Sequence, residues 1–190
     1  MFTNLEEGYI FSDKTITVNM YDFLSRKKKK LLIMGYAGSG KTTLGEALSK
    51  KLRVKWISID SLWWRLRQKH FKNKEPSKEE VRKKVIEATV KYLVNNERLI
   101  IEGVDLLQLY STYPMTKKII LNQAMIILGM SALKAGFRAG KRNMGREGQA
   151  GWKEVYLMPE YNIRKVGPRL KLFRKDVMKM PGVDIRELKT

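Results

Sequence analysis

Short apolar runs alternate with longer mixed segments along most of the chain. We expect buried strands at the apolar runs Leu31–Met34, Trp56–Ile59 and Leu99–Ile101. The mixed segments predict helices over Lys41–Lys51, over Ser61–His70 and from Pro76 onward, where apolar residues recur at helical spacing. Strands that alternate with helices in this way indicate a single α/β domain, with a mostly parallel sheet covered by helices on both faces.

The C-terminal half of the chain extends this pattern. The run Lys117–Leu121 predicts a fourth strand, which we expect to continue into a helix that reaches Leu133. Residues 136–151 contain five glycines and several basic residues with little apolar content, and this composition predicts a mobile loop.

The two ends of the chain are interpreted separately. Residues 1–25 are predicted to form a prefix with an extended strand from Thr15 to Tyr21, whereas residues 26–190 form one domain. In that domain, a last helix after Pro168 and a strand over Val183–Ile185 complete a sheet of about five strands.

Positive charge is concentrated in two segments. The 190 residues include 39 Lys and Arg against 19 Asp and Glu, a net charge of +20. Residues 26–74 carry a net +13 and residues 134–190 a net +9, so one positive face would result if they meet in the fold. Such a face favours a polyanionic partner, although a solvated lysine-rich surface is the simpler alternative.

The composition excludes several classes of chemistry. The chain has no cysteine, which excludes disulfide scaffolds, thiolate metal sites and thiol catalysis, and His70 is its one histidine. The first residues lack the pattern of a signal peptide, and polar residues interrupt the most apolar stretch, Ile119–Phe137. We therefore expect a cytoplasmic protein that does not cross a membrane.

One motif stands between the first predicted strand and helix. Residues 35–42, GYAGSGKT, match the phosphate-binding pattern G-x-x-x-x-G-K-[ST], and the flanking strand and helix are in the required order. Glycines allow successive backbone N–H groups to surround an anion at the positive end of a helix dipole. We assign nucleotide binding to Gly35, Gly38, Ser39, Gly40, Lys41, Thr42 and Thr43, with Lys41 on the β- and γ-phosphates and Thr42 on Mg²⁺.

Other features narrow the class of phosphate-loop protein. The nearest match to the guanine-reading N-K-x-D of GTPases is residues 73–76, which end in Pro76 instead of Asp. The chain has no LSGGQ-like signature of transporter ATPases and is too short for a second helicase lobe. Of the classes of phosphate-loop protein considered, the small kinases remain.

The chain resembles the adenylate-kinase-like and polynucleotide-kinase-like phosphotransferases over residues 31–190. The resemblance rests on the phosphate loop and on three further segments: WISIDSLWWR at 56–65, LIIEG at 99–103 and FRAGKRNMGR at 137–146. The arrangement of a prefix and a basic kinase domain is similar to phage-encoded enzymes, among them the 5-hydroxymethyluracil DNA kinases.

The resemblance implies roles for two acidic residues. Asp60, at the end of the second predicted strand, would orient or deprotonate the attacking hydroxyl, and its alternative role is to cap the following helix. Glu102, at the end of the third strand, would hold Mg²⁺ through water, with Asp105 as a second candidate. A solvated acid at the start of a loop is the alternative for Glu102.

Basic and aromatic residues complete the predicted site. Arg138, Arg142 and Arg146 recur every four residues beside glycines, and guanidinium groups in a closing lid would stabilise the transferring phosphoryl group. Alternatively, they belong to a basic surface loop. Next to Asp60, Trp63 or Trp64 would stack on a nucleobase and Arg65 would bind phosphate, unless both tryptophans lie in the core.

These features predict a kinase that transfers the γ-phosphoryl group of ATP, with Mg²⁺, to a hydroxyl on nucleic acid. The strong positive charge favours DNA, with either a hydroxymethylated pyrimidine or a polynucleotide 5′-hydroxyl as the acceptor. A nucleoside or nucleotide monophosphate kinase is one alternative, and a non-catalytic ATP-dependent DNA-binding protein is another.

Overall fold

A computed structural model describes residues 14–70, 77–144 and 153–187. In these residues, one six-stranded sheet is formed by β1 (Lys14–Val18), β2 (Lys30–Met34), β3 (Lys55–Ser58), β4 (Leu99–Glu102), β5 (Ala124–Ile127) and β6 (Val183–Glu187). The strand order is β3-β4-β2-β5-β1-β6.

The central part of the sheet is parallel. Strand β2 lies between β4 and β5 and is parallel to both, and β3 is parallel to β4. Strand β1, which comes from the predicted prefix, is antiparallel to β5 and to β6. The four parallel strands therefore share a carboxyl edge, where ligands bind in open α/β sheets, and an opposite amino edge.

Helices connect the strands. They are α1 (Met20–Leu24), α2 (Lys41–Leu52), α3 (Ile59–His70), α4 (Lys78–Val94), α5 (Asp105–Thr112), α6 (Pro114–Leu121), α7 (Ala132–Met144), α8 (Lys153–Tyr161) and α9 (Gly167–Val177). A π-helical turn, Asn162–Val166, joins α8 to α9. None of the helices in the described part of the chain is long and apolar enough to cross a membrane.

Strand β2 shows why the sheet needs cover on both faces. Leu32 and Met34 belong to a large core cluster, whereas Leu31 and Ile33 belong to a smaller cluster. Because alternate side chains of a strand point to opposite faces, the two clusters lie on the two sides of the sheet. All of β2 is buried. This arrangement confirms the predicted α/β fold with a mostly parallel sheet, and the described sheet has six strands where about five were expected.

The prediction of a strand at Lys117–Leu121 was wrong. These residues form the end of α6, which begins with Pro114, a residue favoured in the first turn of a helix. Thr116 and Ile120 are buried at helical spacing on one side of α6. The fourth parallel strand is instead Ala124–Ile127, part of the segment that was predicted as helix. A short apolar run has no periodicity that separates a strand from a buried helix.

The prediction of a loop over residues 136–151 was wrong for its first half. Residues up to Met144 belong to α7, and residues 145–152 lie outside the described residues. Small residues serve close packing here: a Cβ on Gly136 would lie 2.4 Å from Cα of Pro159 in α8. Glycine in this segment therefore brings two helices together instead of making the chain mobile.

We predict that Gly136→Ala destabilises the fold. Alanine is favoured over glycine in an isolated helix by up to about 1 kcal/mol, so any loss of stability reports the contact with Pro159. We expect a net loss of about 1–3 kcal/mol in the free energy of unfolding, measured by urea denaturation. Lys134→Ala, at an exposed position of the same helix, is the control and should change stability little. Equal effects of the two substitutions would contradict the close contact.

Candidate active site

The phosphate loop connects β2 to α2 and lies against α7. Gly38 and Gly40 have φ angles of 84° and 90°, in the left-handed region that favours glycine. A Cβ on Gly38 would lie 2.0 Å from the carbonyl oxygen of Ala135 in α7. A larger residue at position 38 would therefore clash with the α7 backbone, which forms one wall of the loop.

Lys41 begins α2 and is buried inside the loop. Its Nζ donates a hydrogen bond to the carbonyl oxygen of Tyr36, 2.7 Å away. The N-terminus of α2 adds its partial positive charge at the same place. The arrangement therefore provides a positively charged cradle for phosphate groups, with the ammonium held by the backbone of the loop itself.

Glu102 and Thr42 meet beside this cradle. Glu102 ends β4, whose register pairs it with Ile33 of β2, and Thr42 Oγ1 donates to Glu102 Oε1 at 3.1 Å. Burial raises the pKa of the Glu102 carboxyl, while hydrogen bonding from Ser58, the Lys41 charge and hydrogen bonding from Thr42 act in the opposite direction.

These oxygens fit a magnesium ion. The Oε2 atom of Glu102 is buried and has no hydrogen-bond partner among the described residues. A buried carboxylate oxygen without a partner is costly, and carboxylate and hydroxyl oxygens are the ligands that Mg²⁺ prefers. Thr42 and Glu102 therefore offer a donor set that fits Mg²⁺, and their assignment as its ligands stays a prediction.

Asp60 and Arg138 face the same cleft. The phosphate loop, Asp60 of α3 and Arg138 of α7 line a cavity of about 270 Å³. Asp60 lies in the first turn of α3 and not, as predicted, at the end of a strand. The side chain that accepts a hydrogen bond at the start of this helix is Ser58, from the Ser61 N–H at 3.4 Å. Asp60 is exposed to the cleft, where a carboxylate can receive a proton.

The two tryptophans of α3 have different surroundings. Their rings form an edge-to-face pair with centroids 5.4 Å apart. Trp64 is 53% exposed, whereas Trp63 packs partly against the core. Arg65 is exposed. Of the other predicted lid arginines, Arg142 belongs to α7, its side chain lying outside what the structure describes, and Arg146 lies outside the described residues altogether.

Sequence reasoning missed a second, smaller pocket beside Trp63. Arg82, Asp105 and Gln108 line this pocket of about 70 Å³. Burial raises the pKa of Asp105, the negative charge of Asp60 raises it further, and the positive charges of Arg82 and Arg169 act against both. The pocket thus joins acidic and basic groups next to Asp60. The signal in the sequence was weak, because Arg82 and Asp105 are 23 positions apart with no motif between them.

Asn162 is a second residue that the sequence did not reveal. Its fully buried side chain accepts a hydrogen bond from the Ala37 N–H at 3.1 Å and donates to the Ala37 carbonyl at 3.1 Å. It also donates to the carbonyl oxygen of Ala132, the first residue of α7, at 3.3 Å. Asn162 lies in the π-helical turn, a feature often found at functional sites. One amide thus joins the phosphate loop to the start of α7.

A glycine-rich loop between a strand and a helix, with Lys41, Thr42 and an acid on the adjacent strand, defines a P-loop nucleotide-binding protein. The chain belongs to the AAA domain family, whose model matches residues 31–128, slightly more than half of the chain. Among curated proteins, none matches this sequence.

Several solved kinases have a similar structure. Shikimate kinase from Bacteroides thetaiotaomicron is 18% identical, with a TM-score of 0.50 over 75% of this chain and 81% of that one. Shikimate kinase from Acinetobacter baumannii, solved with shikimate, is 13% identical, with a TM-score of 0.52 over 76% and 79%. A gluconokinase from Sinorhizobium meliloti is more distant, at 15% identity and a TM-score of 0.41 over 80% and 96%. The family match agrees with a P-loop nucleotide-binding domain, and the two shikimate kinases share its fold.

We predict that Asn162→Ala weakens nucleotide binding by several-fold, because it leaves polar groups of Ala37 and Ala132 without their partner. The dissociation constant of a non-hydrolysable ATP analogue, measured by calorimetry well below the unfolding temperature, tests this. The matched control is Asn122→Ala, which removes an exposed asparagine that bonds Lys28 far from the loop. Unchanged affinity in Asn162→Ala would show that the amide serves stability alone.

Proposed function

We propose that this chain is an ATP-dependent kinase that phosphorylates a hydroxyl group. The observation that carries the proposal is the shared cleft: Lys41, Thr42, Asp60 and Arg138 line one cavity, and Glu102 bonds Thr42 at its base. This set contains the groups that phosphoryl transfer requires, namely a phosphate cradle, metal ligands, an acid beside the acceptor and a guanidinium.

Each residue has a distinct task in this proposal. The loop N–H groups and Lys41 hold the phosphates of ATP. Thr42 and Glu102 would hold Mg²⁺, which would supply neutralising charge to the phosphate oxygens. Asp60 accepts the proton of the acceptor hydroxyl while the oxygen of that hydroxyl forms a bond to the γ-phosphorus. The bond from that phosphorus to the β–γ bridging oxygen breaks, and ADP leaves. Arg138 pairs with the charge on the transferring group.

For the acceptor we propose a hydroxyl on DNA, either on a hydroxymethylated pyrimidine or at a 5′ end. Two features favour it. The net charge of +20 suits a polymer of phosphates better than one small molecule. The exposed ring of Trp64, four residues after Asp60 on α3, offers a stacking surface to a base that has left the helix.

A small anionic acceptor, such as a nucleotide, is the second candidate. The pocket of Arg82, Asp105 and Gln108 favours it, because a volume of about 70 Å³ beside Asp60 suits one small group. The structurally similar shikimate kinases act on a small molecule, as their name states. The arginine of this pocket would bind the anionic group of the acceptor.

A panel of acceptors tests the two candidates. With γ-labelled ATP, we expect label in duplex or single-stranded DNA that carries 5′-hydroxyl ends or hydroxymethylated pyrimidines, and little in free nucleosides and nucleotides. Label in free nucleotides, with no preference for DNA, would establish the second candidate. No transfer to any acceptor, by a protein that binds ATP, would refute the kinase proposal.

We predict that Asp60→Asn lowers kcat by about 10²–10⁴ while leaving the affinity for ATP nearly unchanged, because Asp60 acts on the acceptor. Lys41→Ala should abolish transfer and weaken ATP binding as well, since Lys41 serves the phosphates. Glu46→Gln, at an exposed position of α2, is the control for loss of an acidic charge. Nearly normal turnover in Asp60→Asn would mean that another group handles the acceptor.

A further inference from the structure

Much of the positive charge lies at the amino edge of the sheet. Three segments, 26–30, 50–55 and 95–98, lead into β2, β3 and β4, the first two ending with the first residue of the strand. We call them together the basic edge. Ten of their fifteen residues are basic and one, Glu97, is acidic. The register places Lys55 and Lys30 on either side of Leu99 in neighbouring strands, so the segments lie side by side.

A small part of this charge serves the fold. Lys30 is buried and donates to the side-chain and backbone oxygens of Asn95, at 2.7 and 2.9 Å, and to the Glu97 carbonyl. Lys55 pairs with the carboxylate of Glu97 at 3.2 Å. The acid of the basic edge is therefore already engaged by Lys55. Six other basic residues are exposed there: Arg26, Lys27, Lys29, Lys50, Lys51 and Arg53.

Two of these residues occupy backbone positions that suit glycine. Arg26 and Arg53 follow α1 and α2 with φ angles of 64° and 51°. Helices commonly end in this left-handed conformation with glycine, because a Cβ makes it unfavourable. An arginine at both positions keeps a positive charge at the expense of backbone strain. Arg26 also repels Arg98, whose pKa is lowered by burial and further by the Arg26 charge.

The basic edge is remote from the catalytic cleft. The parallel strands between them have four or five residues, and a strand rises about 3.3 Å per residue, so the two edges are about 13–16 Å apart. The phosphate loop, Asp60 and Arg138 all lie at the carboxyl edge. An anion held by the basic edge is therefore not the one that occupies the cleft.

We infer that the basic edge is a second binding surface, which holds the phosphate backbone of a nucleic-acid duplex away from the cleft. The segments themselves contain no exposed large apolar residue, and the exposed Leu24 and Val94 beside them lie on separate helices, α1 and α4. Membrane-surface elements instead combine cations with an apolar face on one element. Closely spaced exposed cations suit a phosphate backbone. This surface goes beyond the proposed kinase activity, since it binds duplex whatever the acceptor is.

Duplex binding at several salt concentrations tests the inference directly. The full-length chain and a fluorescent 20-base-pair duplex are titrated, and log K is plotted against log[salt]. The double variant Arg26→Gly with Arg53→Gly should lower the magnitude of the slope of log K against log[salt] by up to about 2. Each lost phosphate contact lowers that magnitude by about 0.9. The same pair should leave the thermal midpoint unchanged or raise it, since glycine relieves the strain. Loss of DNA binding without loss of stability is the expected signature.

Two further variants keep the test falsifiable. Lys27→Gln with Lys29→Gln should also flatten the salt dependence, while leaving both arginines in place. Lys83→Gln with Lys91→Gln removes the same charge from exposed positions of α4 and should leave the dependence unchanged. The inference would be overturned if the α4 variant lost as much salt dependence of duplex binding as the edge variants. It would also be overturned if neither edge variant lost any. Binding to phosphatidylserine-containing vesicles in the absence of any binding to duplex would overturn it as well.

A kinetic measurement separates this surface from the proposed function. If DNA is the acceptor, the edge variants should raise KM for long duplexes by several-fold, leave kcat unchanged and leave KM for short acceptors unchanged, because tethering acts through effective concentration. If no acceptor is phosphorylated, the kinase proposal fails, yet the binding measurements still decide the inference. A fall in kcat with an unchanged KM for long duplexes would contradict a tethering surface.

Discussion

The close approach of α7 to the phosphate loop is the constraint on which the site depends. Gly38 leaves no room for a Cβ against the Ala135 carbonyl, and Asn162 bonds both Ala37 and Ala132. The loop is therefore shaped by the strand and helix that flank it and also by residues about 100 to 125 positions later. Because Arg138 lies on the same α7, the packing that shapes the loop also places a guanidinium at the mouth of the cleft.

The sheet divides the positive charge between its two edges. At the carboxyl edge, Lys41 and Arg138 lie near Asp60 and Glu102, so cations and acids are balanced around a site for phosphates. At the amino edge the cations far outnumber the acids. Each basic segment seen in the sequence contributes to more than one place. Residues 26–30 and 50–55 lie at the amino edge, whereas Lys41 of the same segment and Arg138 of the second segment lie at the carboxyl edge.

Local signals made the first half of the fold predictable. The apolar run Leu31–Met34, the glycines of the loop and the helix after Lys41 are adjacent in sequence, so one motif specifies strand, loop and helix together. Predictions were wrong where the structure of a segment depends on contacts with residues far away in the sequence. Ile119–Leu121 is apolar enough for a strand, and Gly136 looks like a flexible residue until Pro159 is seen against it. Asn162 and the Arg82–Asp105 pocket have no local signature, because each is defined by contacts across the chain.

If the chain is the proposed kinase, the chemistry of the second pocket leaves the choice of acceptor to the rest of the surface. Burial and the nearby Asp60 raise the pKa of Asp105, which favours its neutral form and lowers the repulsion of an incoming phosphate beside Arg82. A free nucleotide and a nucleotide within a polymer offer the same groups to Arg82 and Asp105, so this pocket alone does not separate them. Binding energy from remote parts of a substrate can supply that distinction. The length of the strands places the basic edge about 13–16 Å from the cleft. A polymer bound in the cleft can reach that surface, whereas a single nucleotide cannot.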